Sequence, residues 1–446
     1  MALFRSQSQL DSALRNAARS GLPGMTVHVE TLPGYRFVDI YRAIEGFCQS
    51  HDYTEEFDCQ NPWDLSTIMF QANHTQGYPL QPAAKTIWDI GPDSTETLPQ
   101  DHFWVTYNGD SNQRIVLRLR CDDFQKSSIL ELAIGPDGDG DPVMRRLMKD
   151  SKKTSIHRNQ IISLGFYSGT REEYGDVEKV EHLTVAFSDI ETVDDENIVL
   201  DDDQKRLLQR NVIDLSARRD ILKKHGVPTR RGILLYGPPG TGKTFACRHI
   251  CHQMTDTTRI LLTGSALGQI GAVFGLARML QPAVVFIEDA DLMFTSRDIN
   301  LYSSTLGELM DQLDGLTPDE KISVVMTTNA IDRMEAALKD RPGRISQCIY
   351  MGAPSDDLRK RFLRHQLRDQ NTAELNFDKL VRASDGVTHA FLKEWSFRAI
   401  QIATERLCSG TDVLTLLNND FSEALDEMQT DAQDPAGRIV GFRATP

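Results

Sequence analysis

The chain has no apolar run near the ~20 residues that a bilayer-spanning helix requires. Its longest such stretches, Ile233 to Tyr236 and Ala283 to Ile287, have the length of buried strands. No two of its seven cysteines (48, 59, 121, 247, 251, 348 and 408) form a C-x-x-C pair, and their number is odd. This spacing argues against a zinc ribbon or a disulfide framework and for reduced thiols in a cytosol-like compartment. No H-E-x-x-H is present, which excludes the common zinc-protease helix. Bases are outnumbered, 49 Lys and Arg against 64 Asp and Glu, for a net charge of −15. Non-specific binding to a nucleic-acid backbone needs the opposite balance. The first twenty residues lack a secretory apolar segment. Arg5, Arg15 and Arg19 against the single acid Asp11 faintly resemble an organelle transit peptide. We read an ordinary amphipathic helix there and expect a cytoplasmic protein.

What is present is a chain of 446 residues, 40% hydrophobic and 25% charged, long enough for two or three cores. Residues 1–187 read as an α+β domain suited to substrate or partner recognition. Phe37, Ile40, Tyr41, Ile44, Phe47 and Cys48 recur at helical spacing. Ile115, Leu117, Leu119 and Cys121 then alternate with Arg114, Val116, Arg118 and Arg120, and the turn Asn108-Gly109-Asp110 pairs this strand with the one around Phe103, Val105 and Tyr107. The arginine face is expected to be solvated rather than a phosphate site. Asp137-Gly138-Asp139-Gly140-Asp141 opens like a calcium loop, but Pro142 and Met148 stand where Gly and a bidentate Glu are needed, so a solvated turn is expected. From Ser188 to Asp203 there are eight acids and no base, which marks a junction, with Asp201 as a helix cap. Strand and helix alternate through 188–352, as in a parallel sheet with covering helices. Residues 353–430 are helical, with Ser355 as a cap, and 431–446 read as a tail.

The most specific motif is Gly237-Pro238-Pro239-Gly240-Thr241-Gly242-Lys243-Thr244, preceded by an apolar strand and followed by a helix. Glycines let successive backbone N–H groups form an anion nest at a helix N-terminus. Lys243 reaches the terminal phosphates of ATP, and the Thr244 hydroxyl ligates Mg²⁺. About forty residues on, Ala283 to Ile287 ends in Glu288 and Asp289. One acid serves the metal shell and the other the attacking water. The order here assigns Glu288 to the metal and Asp289 to the water. Asn329, at the end of the strand Ile322 to Met326, is placed to help position that water. Arg341 and Arg344 in Arg341-Pro342-Gly343-Arg344 carry the forked cation that suits a phosphate developing charge.

These motifs, with Leu313-Asp314-Gly315 and Asp385-Gly386-Val387-Thr388-His389-Ala390, closely resemble the AAA family of ATPases from about Ile198 to Thr430. The resemblance implies a P-loop α/β module with a helical lid, ATP and Mg²⁺ at the site, and Ala390 closing over adenine. It also implies a homo-oligomeric ring, a hexamer in most members, with Arg341 and Arg344 acting across the subunit interface on a neighbour's ATP. The Glu-Asp order and the run through Asp291 look most like the assembly ATPases of mitochondrial respiratory complex III and their soluble bacterial relatives. The function so implied is remodelling or chaperoning of a protein substrate. The alternative is a nucleotide-switched scaffold with slow hydrolysis. Unfoldases of the family carry an aromatic pore loop after the second core strand. Here Thr263 to Gly271 contains no aromatic, and Phe274 falls with Ile270 and Ala277 on one helical face, as a core residue does. Strand-by-strand threading is therefore not expected.

Overall fold

The computed structural model describes residues 10, 12–14, 26–73, 81–108, 113–122, 126–135, 138–173, 176–190, 200–226, 231–262, 268–294, 299–317, 319–332, 345–406 and 414–433. The chain divides into two compact units, Met1–Asp189 with Met279–Gln281, and Ile190–Arg278 with Pro282–Pro446.

In the first unit the elements are β1 (Thr26–Pro33), α1 (Phe37–Cys48), β2 (Tyr53–Phe57), α2 (Leu65–Asn73), β3 (Lys85–Gly91), β4 (Ser94–Pro99), β5 (Asp101–Asn108), β6 (Gln113–Asp122), β7 (Ser127–Ile134), α3 (Gly140–Lys153), β8 (Ile161–Glu173) and β9 (Asp176–Phe187). Five strands form an antiparallel sheet in the order β1-β7-β6-β5-β2, and β3 pairs with β4 as a hairpin. The apolar stripe of α1 is buried from Phe37 to Cys48 against Ile115, Leu117, Leu119, Leu130 and Leu132. Asp139 caps α3, its side chain accepting from the Asp141 N–H, so the acidic run near 139 starts a helix.

The opposite face of the sheet is not solvated as expected. Phe103, Val105, Val116 and Ala133 pack there against Leu10, Leu14, Leu65, Ile68 and Met69. Arg118 lies on this covered face with 0% exposure. Its guanidinium donates from Nε and Nη2 to the two Asp101 oxygens (2.8 and 2.6 Å), from Nη1 to Glu131 Oε2 (3.2 Å), and to the carbonyls of Asn61 and Trp63 (2.6 Å each). All five donors are used. Glu131 Oε1 in turn accepts from the Leu65 N–H at 2.8 Å, fastening the start of α2 to the sheet. Arg120 reaches Glu131 at 3.4 Å, while Arg114 lies over the Tyr107 ring. Removing one member of such a cluster leaves buried charge uncompensated. Arg118→Met is therefore expected to lower the unfolding free energy by about 3–5 kcal/mol in urea titrations of the full chain. A loss below about 1 kcal/mol would show that the cluster carries no net stabilisation.

The second unit opens with α4 (Asp202–Leu208), which has the expected Asp201 cap. Its Oδ1 accepts from the Asp203 N–H (2.9 Å), and Gln204 Oε1 accepts from the Asp201 N–H (3.2 Å). There follow α5 (Asp214–Lys224), β10 (Arg231–Tyr236), α6 (Lys243–Gln253), β11 (Thr258–Leu262), α7 (Ile270–Met279), β12 (Ala283–Ile287), α8 (Ile299–Gly315), β13 (Ile322–Thr328) and β14 (Ile345–Tyr350). The strands run parallel in the order β11-β12-β13-β10-β14. Every residue of β12 and β13 is buried, which accounts for the unbroken apolar sequence of β12 and the largely apolar one of β13, whose Ser323, Thr327 and Thr328 are its polar residues. Helices α9 (Asp356–Gln366), α10 (Phe377–Ala383), α11 (His389–Glu405) and α12 (Asn418–Gln433) share a core of Leu363, Leu380, Phe391, Leu392, Trp395 and Phe421. Trp395 Nε1 donates to the Phe421 carbonyl at 2.7 Å, satisfying the one polar atom of that indole. Ser355 precedes α9 without a side-chain capping bond; its carbonyl instead accepts from the Arg359 N–H at 2.8 Å. The architecture is α/β, and the N-terminal region contains a sheet of its own. Among the described residues no helix is long and apolar enough to cross a membrane.

Phe274 is fully buried on α7 beside Ile270 and Ala277. Phe274→Ala is thus expected to destabilise the chain by about 3–5 kcal/mol in thermal or urea unfolding, as for other deep aromatic truncations. A stable variant that loses only its response to a protein substrate would place Phe274 at a gripping surface instead.

Candidate nucleotide-binding site

The buried strand β10, held between β13 and β14, delivers Gly237 to the C-terminal edge of the sheet, where ligands of open α/β sheets gather. At Gly237 a Cβ would come within 2.0 Å of the Met351 carbonyl oxygen. At Gly240, where φ is +77°, it would meet Ala390 Cβ at 2.7 Å and Thr388 Oγ1 at 3.0 Å. Glycine is needed at both positions because main chain approaches main chain or lid too closely for a side chain. The Ala390 N–H donates to the Gly240 carbonyl at 3.0 Å, so the start of α11 sits directly on the loop.

Lys243 opens α6 and is only 6% exposed. Its Nζ donates to the carbonyls of Gly237 (2.9 Å) and Pro238 (2.7 Å), and Thr241 Oγ1 also donates to Pro238 (2.9 Å). Burial pushes the Lys243 pKa down, and the fields of Asp289 and Asp291 oppose that shift. A half-desolvated ammonium held by carbonyl dipoles gains from an incoming anion. Thr244, the next residue, is exposed on the first turn of α6.

The end of β12 places the acids. Glu288 is half-buried, and burial raises its carboxyl pKa; Arg248 lowers it and Asp289 raises it further. Asp289 is exposed and has φ +49°, in the left-handed region that few non-glycine residues occupy. Its N–H donates to Thr327 Oγ1 at 3.0 Å, and its Oδ1 accepts from Asn329 Nδ2 at 3.2 Å. Asp291 Oδ1 accepts from Thr328 Oγ1 (3.0 Å) and from the Asn329 N–H (3.1 Å). Two carboxylates from the end of β12 thus hold the end of β13. Strained backbone of this kind concentrates at functional sites, where neighbours over-determine it.

The structure brings Gly237, Pro238, Gly240, Thr241, Lys243, Asp289, Asn329 and Ala390 into one corner of the sheet. Pro239 and Gly242 complete the loop, with Gly242 as the N-cap of α6. Glu288 lies beside α6, near Arg248. Arg341 and Arg344 fall outside the described residues. Sequence reasoning missed the roles of Thr327, Thr328 and Asp291. The Thr-Thr-Asn at the end of β13 was the available signal, but the partner of each hydroxyl is 37 or 38 residues away.

Oxygen donors with a buried ammonium inside a glycine-rich loop fit a Mg²⁺-nucleotide: Mg²⁺ takes oxygen ligands and is usually shared between one or two carboxylates, water and phosphate. Comparison with known proteins agrees. Residues 233–353 match the family AAA, described as ATPase family associated with various cellular activities. The chain is 34% identical over 220 residues to a 26S protease regulatory subunit 6A of Caenorhabditis elegans, covering 46% of this chain and 50% of that protein. It is 35% identical over 202 residues to a 26S proteasome regulatory subunit 8 homolog of Schizosaccharomyces pombe, covering 41% and 50%. With a 26S proteasome regulatory subunit 6A of Saccharomyces cerevisiae it shares 32% identity over 246 residues, covering 52% and 55%. The chain therefore spans about half the length of these curated relatives. These relatives are named as proteasomal regulatory subunits, and the family match does not single out the complex III assembly ATPases suggested by the Glu-Asp order and the run through Asp291. Over residues 233–353 the chain is thus similar to the AAA family of ATPases.

Proposed function

We propose that the protein is a Mg²⁺-dependent ATPase that assembles into a homo-oligomeric ring, of six subunits by family resemblance, and remodels a protein substrate engaged by residues 1–187. The observation that carries the nucleotide part is the buried Lys243 ammonium enclosed by the Gly237–Thr244 loop with Ala390 bonded to that loop. Bound Mg²⁺-ATP would supply the reactive phosphoanhydride and the charge-neutralising metal. The loop amides and Lys243 would bind and orient the phosphates. Thr244 and Glu288 would hold the metal shell, and Asp289 would take up the proton of the attacking water. Asn329 would keep the Asp289 carboxylate in place through its 3.2 Å hydrogen bond. Arg341 and Arg344 would reach the ATP of a neighbouring subunit. The names of the relatives, regulatory subunits of a protease assembly, support a protein rather than a nucleic acid as substrate, as does the charge of −15.

The burial of Phe274 favours a second reading, a ring scaffold that hydrolyses slowly. A remodeller should hydrolyse faster when its partner is added. A scaffold should instead change oligomeric state with nucleotide. The finer kinship with complex III assembly ATPases rests on the Glu288-Asp289 order and the run through Asp291.

Lys243→Ala tests the site itself. Removing a charge that faces phosphate is expected to weaken ATP binding by about a hundredfold or more, measured by calorimetric titration. Unaltered affinity would remove the loop from nucleotide binding.

A further inference from the structure

We propose that the outer edge of β2, with the cavity beside it, binds an extended basic segment of a protein substrate and seats one of its aromatic side chains; the inference rests on the reading that residues 1–187 engage such a substrate. β2 is the last strand of the five-stranded sheet, and among the described residues it pairs with β5 alone. A sheet edge presents alternate backbone N–H and C=O groups that a further strand takes up. Just beyond β2 the chain does this with itself. Cys59–Gln60 pairs antiparallel with Gln81–Pro82, and the Asp58 carbonyl accepts from the Ala83 N–H at 3.2 Å. Among the described residues that pairing stops at Asp58, short of Tyr53–Phe57.

The cavity decides what kind of segment fits. Register sets Tyr53 opposite Tyr107, Tyr107 opposite Arg114, and Glu55 opposite Val105. With Ala13 these residues line a space of about 200 Å³. A cavity of about 150 Å³ holds a benzene ring, whereas small-molecule pockets run to roughly 300–1,000 Å³. The space therefore suits one aromatic ring carried by a longer chain, not a metabolite. In strand addition the main chain supplies affinity and such a pocket supplies specificity. Charge selects the partner. Between Gln49 and Phe57 there are three acids, Asp52, Glu55 and Glu56, and no Lys or Arg. On the α1 side, burial raises the Glu45 carboxyl pKa and the fields of Glu56 and Glu96 raise it further, against His102 and Arg42. The one base of the cavity, Arg114, lies against the Tyr107 ring. A second copy of β2 laid on the first would bring these acids together, and like charges across strands are destabilising. A Lys- or Arg-bearing strand meets the opposite charge.

The test is fluorescence anisotropy of the full-length protein with a labelled nonapeptide of alternating Lys and Thr whose central residue is Phe. Saturable binding is expected. Replacing the Phe by Ala should raise Kd about tenfold or more, the effect of leaving one aromatic side chain unburied. Methylating alternate backbone nitrogens should weaken binding when they lie on one edge of the peptide and not when they lie on the other. A peptide with Glu in place of Lys should not bind. These changes leave the protein untouched, so misfolding cannot imitate them. Tyr53→Ala protein, with a melting temperature near the parent's, should also lose about tenfold in affinity. The proposal is overturned by absence of saturable binding, by a Phe-to-Ala peptide or a Tyr53→Ala protein within twofold of the parent pair, or by equal effects of the two methylation patterns. Peptide binding that weakens as protein concentration rises would overturn it too, since a second copy would then hold the edge. Reduced, carboxymethylated lysozyme, a permanently unfolded protein, separates this from the reading beneath it. If parent and Tyr53→Ala bind it alike, only the β2 edge fails; if the parent binds neither probe, the substrate reading fails as well.

Discussion

Arg341→Ala is expected to cut ATP turnover by roughly 10³–10⁵, the range for an arginine finger. ATP binding to isolated subunits should change little, because the residue is proposed to act on a neighbour's nucleotide. Mixing gives the decisive measurement. Rings of pure Arg341→Ala and rings of pure Asp289→Asn should both be inactive. In an equal mixture with subunit exchange, about one interface in four pairs an intact Asp289 with an intact Arg341, so activity should return to at most about a quarter of the parent's. Subunit exchange has to be shown by a label or size assay. No recovery despite exchange would place Arg341 in its own subunit's site or outside any site, and Arg344 would be the next candidate for the same experiment.

For Asp289→Asn the expectation is near-normal ATP affinity with turnover lowered about 10²–10⁴-fold, the range for loss of a general base. The amide keeps the size of the carboxylate and can still meet Asn329, so the strand ends should stay in register. The backbone also limits the choice of replacement. At φ +49° asparagine is tolerated well, whereas a β-branched residue would add strain. If Glu288→Gln preserves binding and abolishes turnover while Asp289→Asn abolishes binding, the two acids have exchanged roles. Binding isotherms and single-turnover hydrolysis on the same preparations separate these cases.

The half proposed to bind nucleotide was legible as a fold because its motifs are short, ordered segments. A glycine-rich loop between an apolar strand and a helix, and an apolar strand ending in acids, need no knowledge of distant contacts. The N-terminal half was legible only in part. The alternation of Ile115, Leu117 and Leu119 with arginines correctly predicted a strand paired with Phe103 to Tyr107. The same alternation cannot distinguish a wet polar face from a covered one. What covers Arg118 comes from Leu10, Leu14 and the Leu65–Met69 helix, and its counter-charges come from Asp101 and Glu131, all separated from it in the chain. The Asp291 contacts were hidden for the same reason. Spacing reports which face a residue shares along one element, not which element will arrive opposite.

The contact between Gly240 and Ala390 has a consequence for variation among related sequences. The phosphate loop and the lid meet here through the two smallest side chains, with 2.7 Å between Ala390 Cβ and the position a Cβ on Gly240 would take. Neither position can grow alone without moving the loop off the lid, and the bond from Ala390 N–H to Gly240 uses main-chain atoms that substitution does not remove. The pair therefore acts as a volume limit shared between two sites 150 residues apart in the chain. In a saturation screen both positions should be intolerant for the same steric reason, and suppressors of a larger residue at 390 should arise in the segments that seat α11 rather than at 240.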